Sequence, residues 1–359
     1  MKVALLGCGW IAGWGHARAI PRVPSWEVVA VADTVLAQAQ DVGGQLGLDP
    51  EQCFDSLDAL LAIDDLELVC VLTPPSLHRE QVEAIVQTGR HVACEKPFAL
   101  TLADADAMLE AANAANVVVS VFHNHVYYDE HQLGYKLVQD GAIGEVEGVV
   151  INGLGARPWS GAQGWKPEWR RRPTLGGGGA LMDSGIHGLY LSEFYFGTSP
   201  SWVSATTSPS LSKDSVETYA YVQLGFPNGI AAVGSGWGGG PGQIEIFGQE
   251  GRISMEFDVT EGAFGGQPKA TRVISNGQLI SEHHVQDRDS HLFLPGIYEA
   301  IEGRVHNADS GFSISGEQGR EAIELVLAAY ASSVRGEKVP LPIRRSDPIY
   351  DLGLLGLFD

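Results

Sequence analysis

Through the first 122 residues, short apolar runs alternate with stretches whose apolar positions recur every three or four residues. The runs Val3–Leu6, Val28–Ala32, Leu68–Leu72, His91–Cys94 and Val117–Phe122 are mostly apolar and too short for helices, which predicts buried strands. Helices are predicted between them, around Ala17 and over Val35–Leu46, Leu57–Leu61, Gln81–Thr88 and Ala103–Ala115. Thr101 is placed to cap the last of these, with Asp104 three residues on to complement the helix N-terminus. Strands alternating with helices predict an α/β domain with a doubly wound parallel sheet over residues 1–122.

Beyond residue 123 the pattern changes. Val146–Asn152, Trp202–Thr206, Thr218–Leu224, Ile230–Ser235, Gln243–Phe247 and Arg252–Phe257 read as strands joined by turns that contain Gly, Pro and Asn. This predicts a second, α+β domain over residues 123–359 with a mostly antiparallel sheet. Helices over Asp183–Phe196 and Glu317–Val334 flank it.

Composition narrows the class. A length of 359 residues suits two domains. The net charge of −21 argues against nucleic acid or an anionic membrane as partner. The start Met1–Leu6 reads as a strand rather than a leader, and no apolar run reaches 18 residues, so a cytoplasmic protein is expected. Cys8, Cys53, Cys70 and Cys94 form no CxxC pair and read as buried thiols. His123 and His125 alternate and so would share a strand face, and His283 adjoins His284. No third ligand stands at zinc spacing, so no metal is expected.

Glycine, at 45 residues, is nearly twice its usual share of roughly 7%. Some of it marks chemistry. Gly7-Cys8-Gly9-Trp10-Ile11-Ala12 is a GxGxxA turn between a predicted strand and a predicted helix, the context in which such a turn cradles a pyrophosphate. Asp33 ends the second strand, where an acidic side chain bonds the adenine ribose hydroxyls. It would repel a 2′-phosphate, and no Lys or Arg occurs from Val23 to His78, so NAD is expected over NADP. Thr73-Pro74-Pro75-Ser76-Leu77-His78 and Glu95-Lys96-Pro97 each follow a strand, at the carboxyl ends that line a ligand crevice.

Asp183 and His187 stand four apart on a predicted helix after Gly176–Gly179. A carboxylate on the same face can orient an imidazole and stabilise its charged form. Trp159, Trp165 and Trp169 cluster near Arg170, where aromatic faces and guanidinium donors suit a sugar or sugar-like polyol.

Taken together, GCGWIA, Asp33, TPPSLH, EKP, GGGALMDSGIH and the late GEQGREAIELVLAAYASSVRGEKVPLPI resemble the Gfo/Idh/MocA family of sugar and inositol oxidoreductases over nearly the whole chain. The resemblance implies a Rossmann domain followed by a domain with a large open sheet, through which a homodimer or homotetramer would form. It implies Lys96, Asp183 and His187 as the catalytic set. Gly7, Gly9, Trp10, Ile11, Ala12, Asp33, Thr73, Pro74, His78, Glu95 and Lys96 would hold the cofactor. Asn124, Tyr127, Trp159, Trp165, Trp169 and Arg170 would meet substrate. Many relatives carry Arg just after this Asn, where this chain has His125.

The chemistry expected is hydride transfer between a secondary hydroxyl and nicotinamide. His187 would take the hydroxyl proton while Lys96 stabilises the reacting oxygen, with Lys96 as the alternative proton acceptor. Two other readings stand beside it: a glycosidase-type enzyme that oxidises transiently and eliminates, and a non-catalytic NAD-binding sensor.

Overall fold

Residues 1–153, 168–238, 242–258, 267–284, 295–306 and 314–358 are described by the computed structural model. They fall into two units. The first holds residues 1–124, 168–169, 295–306 and 314–321; the second holds the rest.

In the first unit β1 (Lys2–Leu6), β2 (Glu27–Ala32), β3 (Cys53–Phe54), β4 (Leu68–Val71), β5 (His91–Cys94) and β6 (Val119–Val121) form one parallel sheet. Its order is β3-β2-β1-β4-β5-β6. The chain winds outward from β1 to one side, then returns and winds outward from β4 to the other. The topological switch point therefore lies between β1 and β4, where loops diverge and ligands bind in such sheets. The strands are mostly apolar because both faces are covered; β4 is buried along its whole length.

The helices lie near their sequence-based positions, at Leu36–Gln45, Leu57–Leu61, His78–Val86 and Leu102–Ala115. Thr101 caps the last of these, its hydroxyl accepting the Asp104 N–H at 2.9 Å. The stretch around Ala17 is less regular than expected. A π-turn (Ala12–His16), one turn of α-helix (Ala17–Ala19) and a 3₁₀ turn (Ile20–Arg22) follow one another. The chain returns to this unit late, in the helix Pro295–Val305 and at the start of the helix Gly316–Arg335. Val121 N–H donates to Ile314 O at 2.8 Å, and Gly319 packs on Val121 and Phe98.

The second unit is built on nine strands. They are β7 (Val146–Asn152), β8 (Trp202–Ser208), β9 (Tyr219–Phe226), β10 (Gly229–Gly236), β11 (Gln243–Gly248), β12 (Gly251–Asp258), β13 (Gln267–Ser275), β14 (Gln278–His283) and β15 (Val339–Pro340). The order is β14-β13-β12-β11-β7-β10-β9-β8-β15, antiparallel except between β7 and β10. One face buries Val149, Val222, Ala231, Val233, Ile244 and Ile246. The helix Ile186–Phe196 has an apolar composition all round and is buried. The opposite face carries Tyr219, Tyr221, Ile230 and Phe247, all exposed.

Strands β13 and β14 escaped the hydrophobic pattern. Polar residues interrupt both, two adjacent apolar residues of β14, Leu279 and Ile280, are exposed, and Arg272 on β13 is tied to Glu256 on β12 and Glu282 on β14 at 2.5 Å each. The helix Asp129–Gln139 escaped it as well, with Gly134 in its middle weakening the helical signal. His123 and His125 do not share a strand face: β6 stops at Val121, and Asn124–Tyr127 is a 3₁₀ turn. All four cysteines are buried thiols, none in a disulfide.

Candidate active site

The glycine turn follows β1 directly. Gly7 has φ +94°, the left-handed region that favours glycine, and a Cβ there would meet Thr73 Cγ2 at 2.8 Å and Thr73 N at 2.9 Å. The turn is thus pressed against the loop after β4, at the switch point. Gly9 is different: a Cβ built on it meets nothing within 4 Å. Its backbone borders open space, the room a pyrophosphate needs to approach.

Asp33, at the tip of β2, binds this turn through Oδ2, which accepts the Cys8 N–H at 2.8 Å. Its Oδ1 accepts the Val35 N–H at 2.8 Å. Each oxygen keeps acceptor capacity for a hydroxyl donor. Trp10 stacks on Trp14 at 4.9 Å, and Ala12 is buried while Ile11 is half-buried. An open glycine turn beside a fixed carboxylate fits a dinucleotide carrying free ribose hydroxyls.

The loops after β4 and β5 are braced by His78, which is fully buried. Its Nε2 lies 2.8 Å from Thr73 O and its Nδ1 lies 3.1 Å from Phe98 O. Burial lowers its pKa, so the ring is neutral and donates to one carbonyl at a time. Thr73 Oγ1 donates to Gln81 Oε1 at 2.5 Å, and Pro74 precedes a short 3₁₀ turn. Glu95 is buried and accepts the Lys96 backbone N–H at 3.0 Å. Lys96 itself is half-buried. His123 is pushed down to about 3, first by burial and then by the positive charge of Lys96, which marks Lys96 as a near neighbour of that ring. Asn124 is buried, and Tyr127 ends the 3₁₀ turn that follows.

In the second unit, Asp183 lies in a π-turn (Leu181–Gly185) that runs into the helix Ile186–Phe196 bearing His187. Such π-turns recur at functional sites. Asp183 Oδ1 accepts from Arg170 Nε at 3.2 Å and Oδ2 from Trp237 Nε1 at 3.1 Å. The Arg171 guanidinium lies 5.3 Å from the centre of the Trp237 ring. His187 Nδ1 stands 2.6 Å from the Tyr190 hydroxyl. Tyr190 also accepts the His125 N–H at 3.4 Å, and the His125 ring stacks on His187 at 3.8 Å and 8°. Tyr190, Trp237 and the His125 stack were not singled out in the sequence. A hydroxyl three residues after His187 was the one readable signal. Trp159 and Trp165 lie outside the described residues; Trp169 begins a 3₁₀ turn that includes Arg170.

The glycines before Asp183 serve this chain's own atoms. A Cβ on Gly178 would meet the Tyr330 hydroxyl at 2.1 Å, and one on Gly179 would meet Glu217 O at 1.9 Å. Glu217 is fully buried and accepts Gly179 N–H at 3.0 Å, Leu181 N–H at 2.8 Å and Tyr330 O–H at 3.0 Å. Burial pushes its carboxyl from 4.5 up to about 7, against the lowering pull of these donors. The folded state therefore binds more protons than the unfolded state between those values. Stability contributed by this group is full below about pH 4.5 and falls as pH rises to about 7, by about 3 kcal/mol at most. Glu217→Gln is expected to remove that slope. Urea melts of both proteins at pH 5 and pH 8 measure it, and a pH-independent difference between them would contradict the assignment.

Among the described residues, no group of three or more His, Cys, Asp or Glu side chains could hold a metal ion. No helix among them is long and apolar enough to cross a membrane.

Residues 1–123 match the model of an oxidoreductase family with an NAD-binding Rossmann fold, and the open glycine turn and Asp33 stand within that match. The chain thus carries the NAD-binding Rossmann fold of an oxidoreductase family. Residues 131–254 match the GFO/IDH/MocA C-terminal domain, and the chain belongs to the Gfo/Idh/MocA family.

Among curated relatives, it is 30% identical over 213 residues to 1,5-anhydro-D-fructose reductase of Ensifer adhaerens, covering 59% of this chain and 62% of that protein. It is 31% identical to D-apiose dehydrogenase of Paraburkholderia graminis, covering 65% of this chain and 59% of that protein. Both matches thus span less than two thirds of the relative's length. Inositol 2-dehydrogenase of Rhizobium meliloti is matched at 25% identity across 95% of this chain and 99% of that protein. Among solved structures, the aldose-aldose oxidoreductase from Caulobacter crescentus superposes with TM-score 0.81 at 25% identity, covering 95% of this chain and 99% of that one.

Proposed function

We propose that this chain is an NAD-dependent dehydrogenase acting on a secondary hydroxyl of a sugar, glycoside or inositol. The observation that carries the reading is His187, its Nδ1 engaged by Tyr190 at 2.6 Å on the helix that Asp183 opens. Relatives named for anhydrofructose, apiose and inositol support a polyol substrate.

When bound on the turn Gly7–Ala12, the dinucleotide supplies the nicotinamide that accepts hydride. With its proton on Nδ1, donated to Tyr190, His187 takes the hydroxyl proton at Nε2. The Asp183 carboxylate, one helical turn before, favours the resulting imidazolium. Lys96 hydrogen-bonds the reacting oxygen and offsets its developing negative charge. Lys96 as proton acceptor is the competing assignment. Asp33 and the lack of Lys or Arg from Val23 to His78 favour NAD over NADP.

A panel of sugars and polyols with each cofactor tests this. Stoichiometric NADH with at least one polyol is expected; no reduced cofactor with any of them sinks the reading. A similarity to 2,7-anhydro-N-acetylneuraminate hydratase of Escherichia coli, 29% identical over 231 residues, favours a second reading. In this second reading, oxidation is transient and a group is eliminated without net redox. Turnover by the purified protein with no added NAD and no net NADH would select it.

The proposal extends to a homodimer or homotetramer through the open sheet. Phe247 opposes Gly148, which opposes Ile230, which opposes Gly225, so the exposed aromatic and aliphatic side chains sit on one smooth face. Ile230, 51% exposed, is a large apolar side chain without cover in the single chain. Ile230→Glu is expected to halve the mass in light scattering or reduce it to that of a monomer. An unchanged mass contradicts this interface.

A further inference from the structure

We propose that Tyr298, His16 and Glu95 form a buried relay whose task is to position Lys96; the inference rests on the reading of Lys96 above. The Tyr298 hydroxyl lies 3.0 Å from His16 Nδ1. His16 Nε2 lies 3.1 Å from Glu95 Oε1, and Glu95 Oε2 accepts the Lys96 N–H at 3.0 Å. Tyr298 and His16 are fully buried and Glu95 is 6% exposed.

One proton arrangement uses every group once. Tyr298 O–H donates to Nδ1, Nε2–H donates to the ionised carboxylate, and the second carboxylate oxygen receives Lys96 N–H. Phe122 meets the His16 ring edge-on at 4.6 Å, and Trp26 meets Tyr298 at 5.0 Å, so the relay runs through an aromatic wall. Burial, and then the charge of Glu95, raise the pKa of Cys94 well above its usual value.

Packing alone does not call for this arrangement. Burying a carboxylate is costly, and apolar side chains of similar volume are often as stable or more so. An amide is not equivalent: with its oxygen kept on Lys96 N–H, a glutamine turns its NH₂ toward His16 Nε2, which forces the other His16 tautomer and removes the negative charge. What the relay does is link three distant segments. His16 ends the π-turn after the glycine loop, Glu95 precedes Lys96, and Tyr298 comes from the helix Pro295–Val305. The backbone from which the Lys96 side chain departs is thus tied to the element carrying the glycine turn. A displacement of about 1 Å at a reacting group can cost about 10²-fold in rate.

The test uses the full chain and two readouts. In the protein without added cofactor, exchange of the Lys96 amide hydrogen is expected to quicken about tenfold in Glu95→Gln and His16→Leu, on the scale of one lost buried hydrogen bond. His16→Gln, which can still donate to Glu95, is expected to restore most of the protection. In the polyol assay, Glu95→Gln is expected to lower kcat about 10²-fold with KM and NAD binding changed less than about threefold. Tyr298→Phe, which removes one hydroxyl from the far end, is expected to lower kcat by less and serves if Glu95→Gln does not fold. Unchanged Lys96 exchange in Tyr298→Phe and His16→Leu overturns the relay. So does unchanged kcat in these variants when Lys96→Met has abolished turnover. Quickened exchange together with full activity of Lys96→Met would instead overturn the role of Lys96 itself and leave the relay as a structural clamp, contrary to the positioning proposed.

Discussion

His187→Ala is expected to lower kcat by about 10³-fold while NAD affinity changes less than about threefold. A positioned general base contributes roughly 10² to 10⁴ in rate, and 10³ corresponds to about 4 kcal/mol of barrier. On the function proposed above, the effect falls in the chemical step. His187 stands in the second unit, held by Tyr190 and stacked on His125, whereas the glycine turn and Asp33 stand in the first. Tyr190→Phe is expected to be milder, about tenfold, because it removes the Nδ1 partner and leaves the imidazole. Stopped-flow turnover and a fluorescence titration with NAD separate the two quantities. If NAD binding collapses in His187→Ala while turnover per bound NAD stays unchanged, His187 is not the base.

The second large effect concerns the loop before the helix Ile186–Phe196. Gly179→Ala is expected to destabilise the protein by about 3 kcal/mol or more, because its Cβ would stand 1.9 Å from the backbone oxygen of Glu217. That oxygen already accepts the Ala180 N–H at 3.2 Å and cannot move aside cheaply, and the Gly179 and Leu181 N–H groups would lose the Glu217 carboxylate as the loop shifted. Gly134→Ala is the matched control. There the added Cβ would meet Met255 Cε at 2.0 Å, which looks equally severe, but the obstacle is the far end of a flexible side chain. Alanine also suits the middle of the helix Asp129–Gln139 better than glycine by about 0.5–1 kcal/mol. The net change expected is within about 1 kcal/mol. Chemical denaturation of both variants measures the contrast. Equal losses would show that the Glu217 clamp does not constrain the loop.

The site was unevenly legible. The glycine turn, Asp33 and the loops after β4 and β5 could be read because each depends on residues near a strand end, where local chemistry sets the backbone. The cap at Thr101 was legible for the same reason. Spacing pointed to Asp183 beside His187; the bonds of Asp183 to Arg170 and Trp237, and of His187 Nδ1 to Tyr190, were not legible in it. Two of the four glycines before Asp183 make room for Tyr330 and Glu217, which their position in the chain did not disclose.

By itself, the order of apolar runs determined a parallel doubly wound sheet followed by a mostly antiparallel one, with the cofactor turn at the first strand's end. That information is local: period, run length and turn residues act within a few positions. Only the tertiary structure decided what holds the chemistry in place. Glu217 and Tyr330 meet 113 residues apart, and Tyr298 and His16 meet 282 residues apart. Such contacts arise where burial leaves a polar group with no water and it must find a partner wherever the fold brings one. Spacing along a chain carries no record of that.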